Sequence, residues 1–384
     1  MPSMLPVLAI VAALGLVGDD VKLQQRVDAL LTTTPLIDGH NDLAWAIREH
    51  GQGLAPYDLG GAAPGHTDIP RLRKGRVGAQ LWSVYVPADK VPGGHVQLQL
   101  EQIDLARAFI ARYPRDLELV LTADELERSF KNGRIASLLA LEGGHVIGDS
   151  LAVLRTYYTL GARAMTLTHI TSTRWADAAD QPARHGGLSR FGEEVVREMN
   201  RLGMLVDLSH VADATMDDAL RVSASPVVFT HSSARALTNV ARNVPDDILR
   251  RIPANGGLVM VTFVPGFVSQ AVVDARRDRL KVIPQATLAQ VADHIEHIRD
   301  VAGVDHVGLG SDFDGMTAVP HGLGDVSTFP ALLTELARRG WSDEDLAKLA
   351  GGNLLRVLRR VEATARALQA TRGASTAKIT DKPR

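Results

Sequence analysis

The strongest constraint in the sequence is a repeated order, in which a short apolar run precedes a longer segment of helical periodicity. From Pro35 onward there are eight such runs, at residues 36–42, 79–86, 135–144, 162–169, 204–210, 226–232, 257–263 and 306–315. Runs that are apolar along their length, rather than alternating, are typical of parallel strands covered on both faces. Two of the intervening segments end in Gly203 and Gly303, and glycine is favoured where a helix ends.

Eight strand–helix units predict a closed (β/α)8 TIM-like barrel, an α/β fold, formed by residues 21–371 as a single domain. A chain of 384 residues could hold roughly two or three domains of average length, but closed α/β barrels are longer than the average domain. A doubly wound open sheet is the alternative. No G-x-G-x-x-G motif follows the first run to support that alternative.

Composition is typical of a globular protein and restricts the chemistry that the chain can perform. Hydrophobic residues make up 45% and charged residues 22% of the sequence, as in a protein with a large core. The net charge of -2 argues against nucleic acid as a partner, because nucleic acid requires a basic surface. The absence of cysteine excludes disulfides and thiolate ligands, which leaves His, Asp and Glu for any metal.

The two ends of the chain differ from the rest. Residues 1–20 contain an apolar run that is shorter than the roughly 20 residues needed to span a bilayer but has the size of a signal-peptide core. We therefore expect a signal or leader segment and export to the periplasm or the cell exterior, with a cytoplasmic location as the alternative. Residues 372–384 are small and polar without periodicity, which predicts a disordered tail.

Side chains that bind metals or transfer protons end six of the eight runs. They are His40 with Asp42, Glu142, His169, His210, His231 and Asp312. In a barrel the carboxyl ends of all strands face one mouth, where active sites are built. His40 and Asp42 are also two residues apart, so an extended chain directs both side chains to the same face. Together these residues predict a metal site with nitrogen and oxygen ligands, which suits zinc and also admits manganese or cobalt.

Other residues that could belong to a site are expected to have structural roles. His294 and His297 share one face of a predicted helix, but this helix lies in the middle of a strand–helix unit, away from the mouth. Trp45, Trp82 and Trp175 are expected in the core or in the wall of a pocket.

A series of motifs extends from about Val21 to Val361. The motifs are IDGHNDL, ALEGG, LTH followed by WAD, GLSRFGEEVVREMNRLG, VDLSH, THSSAR, RNVPDD and GSDFDG. In this order they resemble the membrane dipeptidase (renal dipeptidase) family of zinc peptidases, within the amidohydrolase-like barrels. The resemblance implies an enzyme that hydrolyses the peptide bond of dipeptides with two zinc ions per chain.

The resemblance also implies the metal ligands. His40 and Asp42 would bind the first zinc ion, and Glu142 would bridge the two ions. His210 and His231 would hold the second zinc ion. All five positions are filled by the residue types that the family uses.

Three further residues would act on the substrate, again by resemblance. His169, in LTH, would face the substrate, and Arg242, in RNVPDD, would receive its terminal carboxylate. Asp312, the first acid of GSDFDG, would be the general acid/base, whereas Asp314 is expected to lie in a supporting loop. A site that reads a terminal carboxylate tolerates changes in side-chain direction, so we expect a C-terminal D-residue to be accepted.

The sequence also departs from the family. Its mammalian members carry cysteines, a disulfide that links the dimer and a lipid anchor. Because this chain has no cysteine and its polar tail has no anchor signal, we expect no lipid anchor, and any homodimer would be non-covalent.

Two other functions stay open: another metal-dependent amidohydrolase that acts on a lactam or cyclic amide, and a non-catalytic binding protein. No Lys ends an apolar run to form the bridging carbamylated lysine of the first class. A non-catalytic binding protein would be expected to lack a metal ligand or Asp312, and the sequence retains all of these residues.

Overall fold

Eight parallel strands close into a barrel, which confirms the predicted fold class. The structure is a computed structural model, and it describes residues 20–50, 57–89, 91 and 94–379. Its strands are β1 (Leu36–Asn41), β2 (Val77–Ser83), β3 (Leu117–Leu119), β4 (Ile135–Glu142), β5 (Ala162–Thr166), β6 (Leu205–Asp207), β7 (Val227–Phe229), β8 (Leu258–Val261) and β9 (Val307–Leu309). β2 pairs with β4 and β1 pairs with β9, so that all strands except β3 form one closed (β/α)8 TIM-like barrel.

Strand β3 is an addition that the sequence analysis did not predict. It pairs with the first residues of β4, on the side where β5 pairs with the last residues of β4. Its three residues are too few to give a periodic pattern, and Glu118 interrupts their apolar character. Seven of the eight predicted runs contain one of the remaining strands, and the run at 79–86 overlaps β2, which begins two residues earlier.

Helices connect the strands and cover the outside of the barrel. Residues 20–33 form α1. The other α-helices are α2 (Leu43–Glu49), α3 (Ile69–Lys74), α4 (His95–Arg112), α5 (Ala123–Lys131), α6 (Leu151–Thr159), α7 (Arg190–Leu202), α8 (Asp213–Val222), α9 (Asp246–Leu249), α10 (Ile252–Asn255), α11 (Pro265–Val268), α12 (Gln270–Arg277), α13 (Leu288–Ala302), α14 (Phe329–Arg338), α15 (Asp343–Ala347) and α16 (Asn353–Thr371). Short 3-10 helices cover Gly144–Ile147, Val304–His306 and Val326–Thr328, and a π-helical turn covers Lys348–Gly352. Within the described part of the chain, no helix combines the length and apolarity that crossing a membrane requires.

The ends of the long helices follow local sequence signals. The side chain of Ser189 caps α7 by accepting a hydrogen bond from the backbone N–H of Gly192. Thr287 caps α13 in a capping box with Gln290, where each side chain accepts a hydrogen bond from the backbone N–H of the other residue. Gly203 follows α7 with a φ of 88°, a left-handed conformation that glycine adopts without steric penalty. These caps set the points at which the chain turns back toward β6 and β9.

The barrel interior is filled by side chains rather than open. Alternate residues of β4, namely Ala136, Leu138 and Ala140, belong to one buried apolar cluster with Leu354 and Val361 of α16. Since alternate residues of a strand point to one face, this cluster is the interior of the barrel. The intervening strand residues join a larger cluster between the strands and the outer helices. The barrel is thus a rigid support, and its open mouth is the place for a site.

The segment after the last helix packs along α7. Ser375 donates from its backbone N–H to Glu198 at 3.2 Å and from its hydroxyl to Glu194 at 2.9 Å. Ala377 and Ile379 pack against the core. These contacts give residues 372–379 partners that the prediction of a disordered tail did not anticipate, because the partners belong to a distant helix. Residues 1–19, which hold most of the predicted leader, and residues 380–384 lie outside the described residues.

The close approach of β9 and β7 at the mouth can be tested at Gly310. A Cβ on Gly310 would collide with the backbone carbonyl oxygen of Thr230. We expect Gly310→Ala to lower the free energy of unfolding by about 1–3 kcal/mol, the range for overpacking a core. Gly324→Ala is the matched control, because a Cβ there meets no atom within 4 Å. Chemical denaturation should find the control within about 0.5 kcal/mol of wild type, and equal losses in both variants would contradict this packing.

Candidate active site

The residues predicted at the mouth lie together at the carboxyl ends of their strands. His40 is the second-to-last residue of β1, and Glu142 is the last residue of β4. The others come within three residues of the ends of their strands: Asp42 after β1, His169 after β5, His210 after β6, His231 after β7 and Asp312 after β9. His210 and Asp312 have φ angles of 70° and 69°. Such angles are uncommon outside glycine and concentrate at functional sites, where the surrounding structure maintains the strain.

Glu142 is at the centre of this group, and its two carboxylate oxygens face different imidazoles. Its Oε2 atom lies 3.4 Å from Nε2 of His40. Its Oε1 atom lies 3.1 Å from Nε2 of His210 and 3.6 Å from Nε2 of both His231 and His169. Although burial raises the pKa of Glu142, the neighbouring imidazoles of His40, His169 and His210 outweigh it and hold that pKa well below its ordinary value.

His40 faces carboxylates on several sides. Its Nε2 atom is 3.3 Å from Oδ2 of Asp42 and 4.0 Å from Oδ1 of Asp312. Neither Nε2 of His40 nor Oδ1 of Asp42 has a hydrogen-bond partner among the described residues, and both atoms are buried. Burial opposes protonation of His40, but the charges of Glu142 and Asp42 outweigh it and raise the pKa of His40 well above its ordinary value. Buried polar atoms left without partners in this way are suited to a cation between them.

The donor set fits metal ions. Three overlapping groups each place their ligand atoms within 4.8 Å of one another: His40 with Glu142 and His231, Glu142 with His169 and His210, and His40 with Asp42 and Asp312. Burial, together with neighbouring positive groups, holds the pKa of His210 and His231 well below the ordinary value. Neutral imidazole is the form that binds metals. Nitrogen and carboxylate donors without thiolate suit zinc and other divalent transition metals.

A chain of hydrogen bonds behind His231 sets the direction of its ring. The hydroxyl of Thr230 donates to Oδ2 of Asp207 at 2.6 Å, and Thr166 donates to the same oxygen at 2.7 Å. Because the proton of Thr230 is used in this way, its Oγ1 accepts a hydrogen bond from Nδ1 of His231 at 2.9 Å. Nε2 of His231 is then left unprotonated on the side of Glu142, as metal ligands require. The sequence analysis missed Asp207, whose only signal is an acid inside a buried strand.

Asp38 joins the strands on the other side of the site. Its carboxylate accepts hydrogen bonds from the backbone N–H and the hydroxyl of Ser311, both at 2.7 Å, and from Nε2 of Gln80 at 3.0 Å. Burial raises the pKa of Asp38 to about 6 despite these bonds. Because Asp38 is two residues from His40 and Ser311 directly precedes Asp312, this carboxylate holds both site residues in register. It too was missed by the sequence analysis.

Arg242 reaches the site from the loop after β7. Its Nη1 atom donates to the hydroxyl of Ser232 at 3.0 Å, and its Nη2 atom donates to the backbone oxygen of His231 at 3.1 Å. The guanidinium lies 5.1 Å from the ring centre of Phe267, which lines the cavity in front of it. Its Nε atom has no hydrogen-bond partner within the described part of the chain. Since a guanidinium carries five N–H groups, these two bonds leave other donors of the buried Arg242 side chain unused. Arg242 is not itself among the described residues that line the cavity.

The two acids of GSDFDG differ in their surroundings, although both line the cavity. Burial, with the charges of Asp42 and Glu142, raises the pKa of Asp312 well above its ordinary value. Burial also raises the pKa of Asp314, which accepts a hydrogen bond from the backbone N–H of His66 at 2.6 Å. Asp312 therefore faces the cluster around Glu142, and Asp314 connects the site to the loop that carries His66.

A cavity of about 520 Å³ opens over these residues, within the range of about 300–1,000 Å³ for small-molecule sites. The predicted site residues in its lining are Asp42, Glu142, His169, His210 and Asp312. Trp45, which was expected in the core or a pocket wall, also lines the cavity. The sequence analysis did not find Glu49, Tyr85, Phe267 and Arg276, which also line the cavity. Tyr85 lies at the end of a predicted run and could have been found there, whereas the other three reach the cavity through the paths of helices and loops.

His294 and His297 lie outside the site, as predicted. Nδ1 of His294 accepts a hydrogen bond from the backbone N–H of Ala234 at 3.0 Å. Nε2 of His297 lies 2.8 Å from a carboxylate oxygen of Asp246. Neither belongs to the groups of the described residues that could hold a metal.

Comparisons of sequence identify the family. The model of the membrane dipeptidase family (Peptidase family M19) matches residues 24–372. Dipeptidase 3 of Rattus norvegicus is 45% identical over 349 residues, which cover 89% of this chain and 68% of that protein. Dipeptidase 3 of Mus musculus matches with the same identity and coverage.

Solved structures agree with this family. The probable dipeptidase PvdM from Pseudomonas aeruginosa has the same fold, with a TM-score of 0.82 at 24% identity over 90% of this chain and 99% of that chain. A metallo peptidase from Rhodobacter sphaeroides, liganded with a phosphinate mimic of the dipeptide L-Ala-D-Ala, has a TM-score of 0.75 at 29% identity over 86% of this chain and 99% of that chain. The chain therefore belongs to the membrane dipeptidase family and is a metal-dependent dipeptidase.

Proposed function

We propose that this dipeptidase is a dinuclear zinc enzyme. One ion would be bound by His40 and Asp42, and the other by His210 and His231, with Glu142 shared between them. This proposal rests mainly on the position of Glu142, because its two carboxylate oxygens face different imidazoles. Oε2 faces His40, and Oε1 faces His210 and His231. Because each oxygen faces a different set of imidazoles, each of two ions would have ligands of its own besides Glu142.

Zinc is proposed because imidazole and carboxylate are its usual oxygen and nitrogen ligands when thiolate is absent. When bound, the ions would polarise the carbonyl group of the substrate and lower the pKa of water, so that water becomes a nucleophile near neutral pH. Ser83 donates a hydrogen bond to Oε2 of Glu142 at 2.9 Å. This bond and the Asp207–Thr230–His231 chain would orient the ligands before any ion binds.

His169 and Asp312 are proposed to act on the substrate. Burial lowers the pKa of His169, so its imidazole is neutral and offers one N–H to the carbonyl oxygen as negative charge develops there. Asp312 would accept a proton from the attacking water and return it to the nitrogen of the leaving amino acid. Both side chains line the cavity beside Glu142, which supports these roles.

Arg242 is proposed to bind the C-terminal carboxylate of the dipeptide. Its unused N–H groups could form two charge-assisted hydrogen bonds with a carboxylate. A carboxylate held this close to the ligand cluster leaves room for one residue beyond the scissile bond, which accounts for dipeptide selectivity. Binding of the carboxylate alone does not distinguish an L-residue from a D-residue at the C-terminal position. We therefore propose that a D-residue is accepted there, and the L-Ala-D-Ala mimic bound to the Rhodobacter sphaeroides relative supports this.

The role of Arg242 predicts which substrates are cleaved. Wild-type enzyme should hydrolyse L-Ala-L-Ala and L-Ala-D-Ala but should cleave L-Ala-L-Ala amide at least about 100-fold more slowly in kcat/KM, because the amide lacks the charge that Arg242 binds. Arg242→Ala should lower kcat/KM for the free dipeptides to a similar extent, with KM raised and kcat lowered. Arg242→Lys keeps the positive charge but cannot form two parallel hydrogen bonds with a carboxylate. Its kcat/KM should lie between those of wild type and Arg242→Ala.

Circular dichroism and metal content serve as controls for Arg242→Ala, since this side chain also holds the His231 backbone. The comparison of amide and free dipeptide in the wild-type enzyme needs no mutation and is independent of folding. Equal cleavage of dipeptide amides and free dipeptides would exclude Arg242 as the carboxylate ligand. Cleavage of cyclic amides without cleavage of dipeptides would instead favour the alternative amidohydrolase function.

The role of Asp312 predicts a different pattern. Asp312→Asn keeps the shape of the side chain but removes the proton acceptor, so kcat should fall by about 10²–10⁴-fold, the range for general acid–base catalysis. Metal content should stay near that of wild type. Asp314→Asn is the matched control, because it is the neighbouring acid of the same motif and binds the His66 backbone; its loss of kcat should be smaller.

Steady-state kinetics and metal analysis of the two variants separate the outcomes. Turnover by Asp312→Asn at the wild-type rate would exclude this mechanism. A larger loss of kcat in Asp314→Asn than in Asp312→Asn would assign the proton transfer to the second acid of the motif.

A further inference from the structure

Arg276 has an unusual position at the mouth of the cavity. It lies in the last turn of α12, is exposed to solvent and lines the cavity beside Val264, Pro265 and Phe267. Its guanidinium lies over Gly266, with Nη1 2.9 Å from where a Cβ on that glycine would stand. A side chain at Gly266 would therefore occupy the space that the arginine uses to reach the cavity.

The charge of Arg276 is free to bind a ligand. No hydrogen bond or ion pair to its side chain is present among the described residues, whereas the neighbouring Arg277 forms ion pairs with Asp274 at 3.0 Å and Asp278 at 2.9 Å. Within the described part of the chain, Arg276 is also the only Lys or Arg in the cavity lining. The other charged side chains there are carboxylates: Asp42, Glu49, Glu142, Asp312 and Asp314.

Arg276 lies on the part of the cavity wall that includes Phe267, and Arg242 lies near Phe267 as well. Phe267 is common to both surroundings, because its ring centre lies 5.1 Å from the guanidinium of Arg242 and it lines the cavity together with Arg276. If Arg242 binds the terminal carboxylate, as the proposed function requires, the C-terminal residue of the substrate lies against this wall. A side chain of that residue directed toward the open mouth would meet the Arg276 guanidinium, the only Lys or Arg side chain of the cavity lining among the described residues.

We propose that Arg276 is a specificity-determining residue that favours dipeptides with an aspartyl or glutamyl residue at the C-terminal position. This inference rests on the proposed function, since Arg242 sets the direction of the substrate. A guanidinium binds a side-chain carboxylate with two parallel hydrogen bonds when the geometry allows, and this requires the acid rather than its amide. Exposure to solvent weakens such a pair, so the preference is expected to be modest, about threefold to tenfold in kcat/KM.

The experiment compares L-Ala-L-Glu with L-Ala-L-Gln, which have nearly the same shape and differ in the charge of the last side chain. At low salt, the wild-type enzyme should cleave L-Ala-L-Glu about threefold to tenfold faster in kcat/KM, mainly through KM. Arg276→Gln should bring this ratio close to one, because its loss of kcat/KM should fall mainly on L-Ala-L-Glu. Arg276→Lys should keep part of the preference. Arg277→Gln is the matched control, because it removes the same charge from the adjacent position of the helix and should leave the ratio unchanged.

Several results would overturn the inference, and they are distinguishable from failure of the proposed function. A ratio that Arg276→Gln does not change would exclude a role for Arg276 in selectivity. An equal loss of kcat/KM for both substrates would make Arg276 a general ligand or attractor for the terminal carboxylate. An equal change in Arg277→Gln would show a nonspecific effect of net charge. Absence of turnover of both dipeptides by wild type would count against the proposed function as well, whereas turnover with a ratio of one counts against Arg276 alone.

Discussion

The structure of the site depends on one buried carboxylate, Glu142, surrounded by imidazoles. A charged carboxylate at the end of a buried strand is costly unless opposite charges or hydrogen bonds compensate it. Here Ser83 donates to one oxygen at 2.9 Å, and ring nitrogens of His40 and His210 lie 3.4 Å and 3.1 Å from the two oxygens. These contacts hold the pKa of Glu142 low. A divalent metal that replaced the protons on these ring nitrogens would find imidazole and carboxylate ligands already close together.

The barrel keeps this arrangement rigid through polar groups inside its strands. Asp207 connects the ends of β5, β6 and β7 through Thr166 and Thr230, and through Thr230 it orients the His231 ring. Asp38 connects β1 to the loop after β9 through Ser311. Because both carboxylates are fully paired and buried, a change in strand register would leave charges unsatisfied. These side-chain hydrogen bonds between strand ends therefore also fix the distances between the site residues.

Much of this could be predicted from the sequence, because strand ends are visible in it. Apolar runs that stop at a histidine or an acid reveal both the barrel and the residues at its mouth, and the structure brings those residues together around Glu142. The supporting carboxylates could not be found in this way, since Asp38 meets Ser311 from 273 positions away in the chain. Strand β3 was too short to give a pattern. Arg276 reaches the cavity only through the path of α12, which the sequence does not show.

The most direct test of the account is anomalous diffraction at the zinc absorption edge, from crystals of protein loaded with zinc. Two ions bound on the two sides of Glu142 should give two peaks per chain, one beside His40 and Asp42 and the other beside His210 and His231. Data collected below the edge should remove both peaks, which distinguishes zinc from other scatterers. A single peak, or peaks away from Glu142, would contradict the assignment of this carboxylate as the shared ligand on which the proposed chemistry depends.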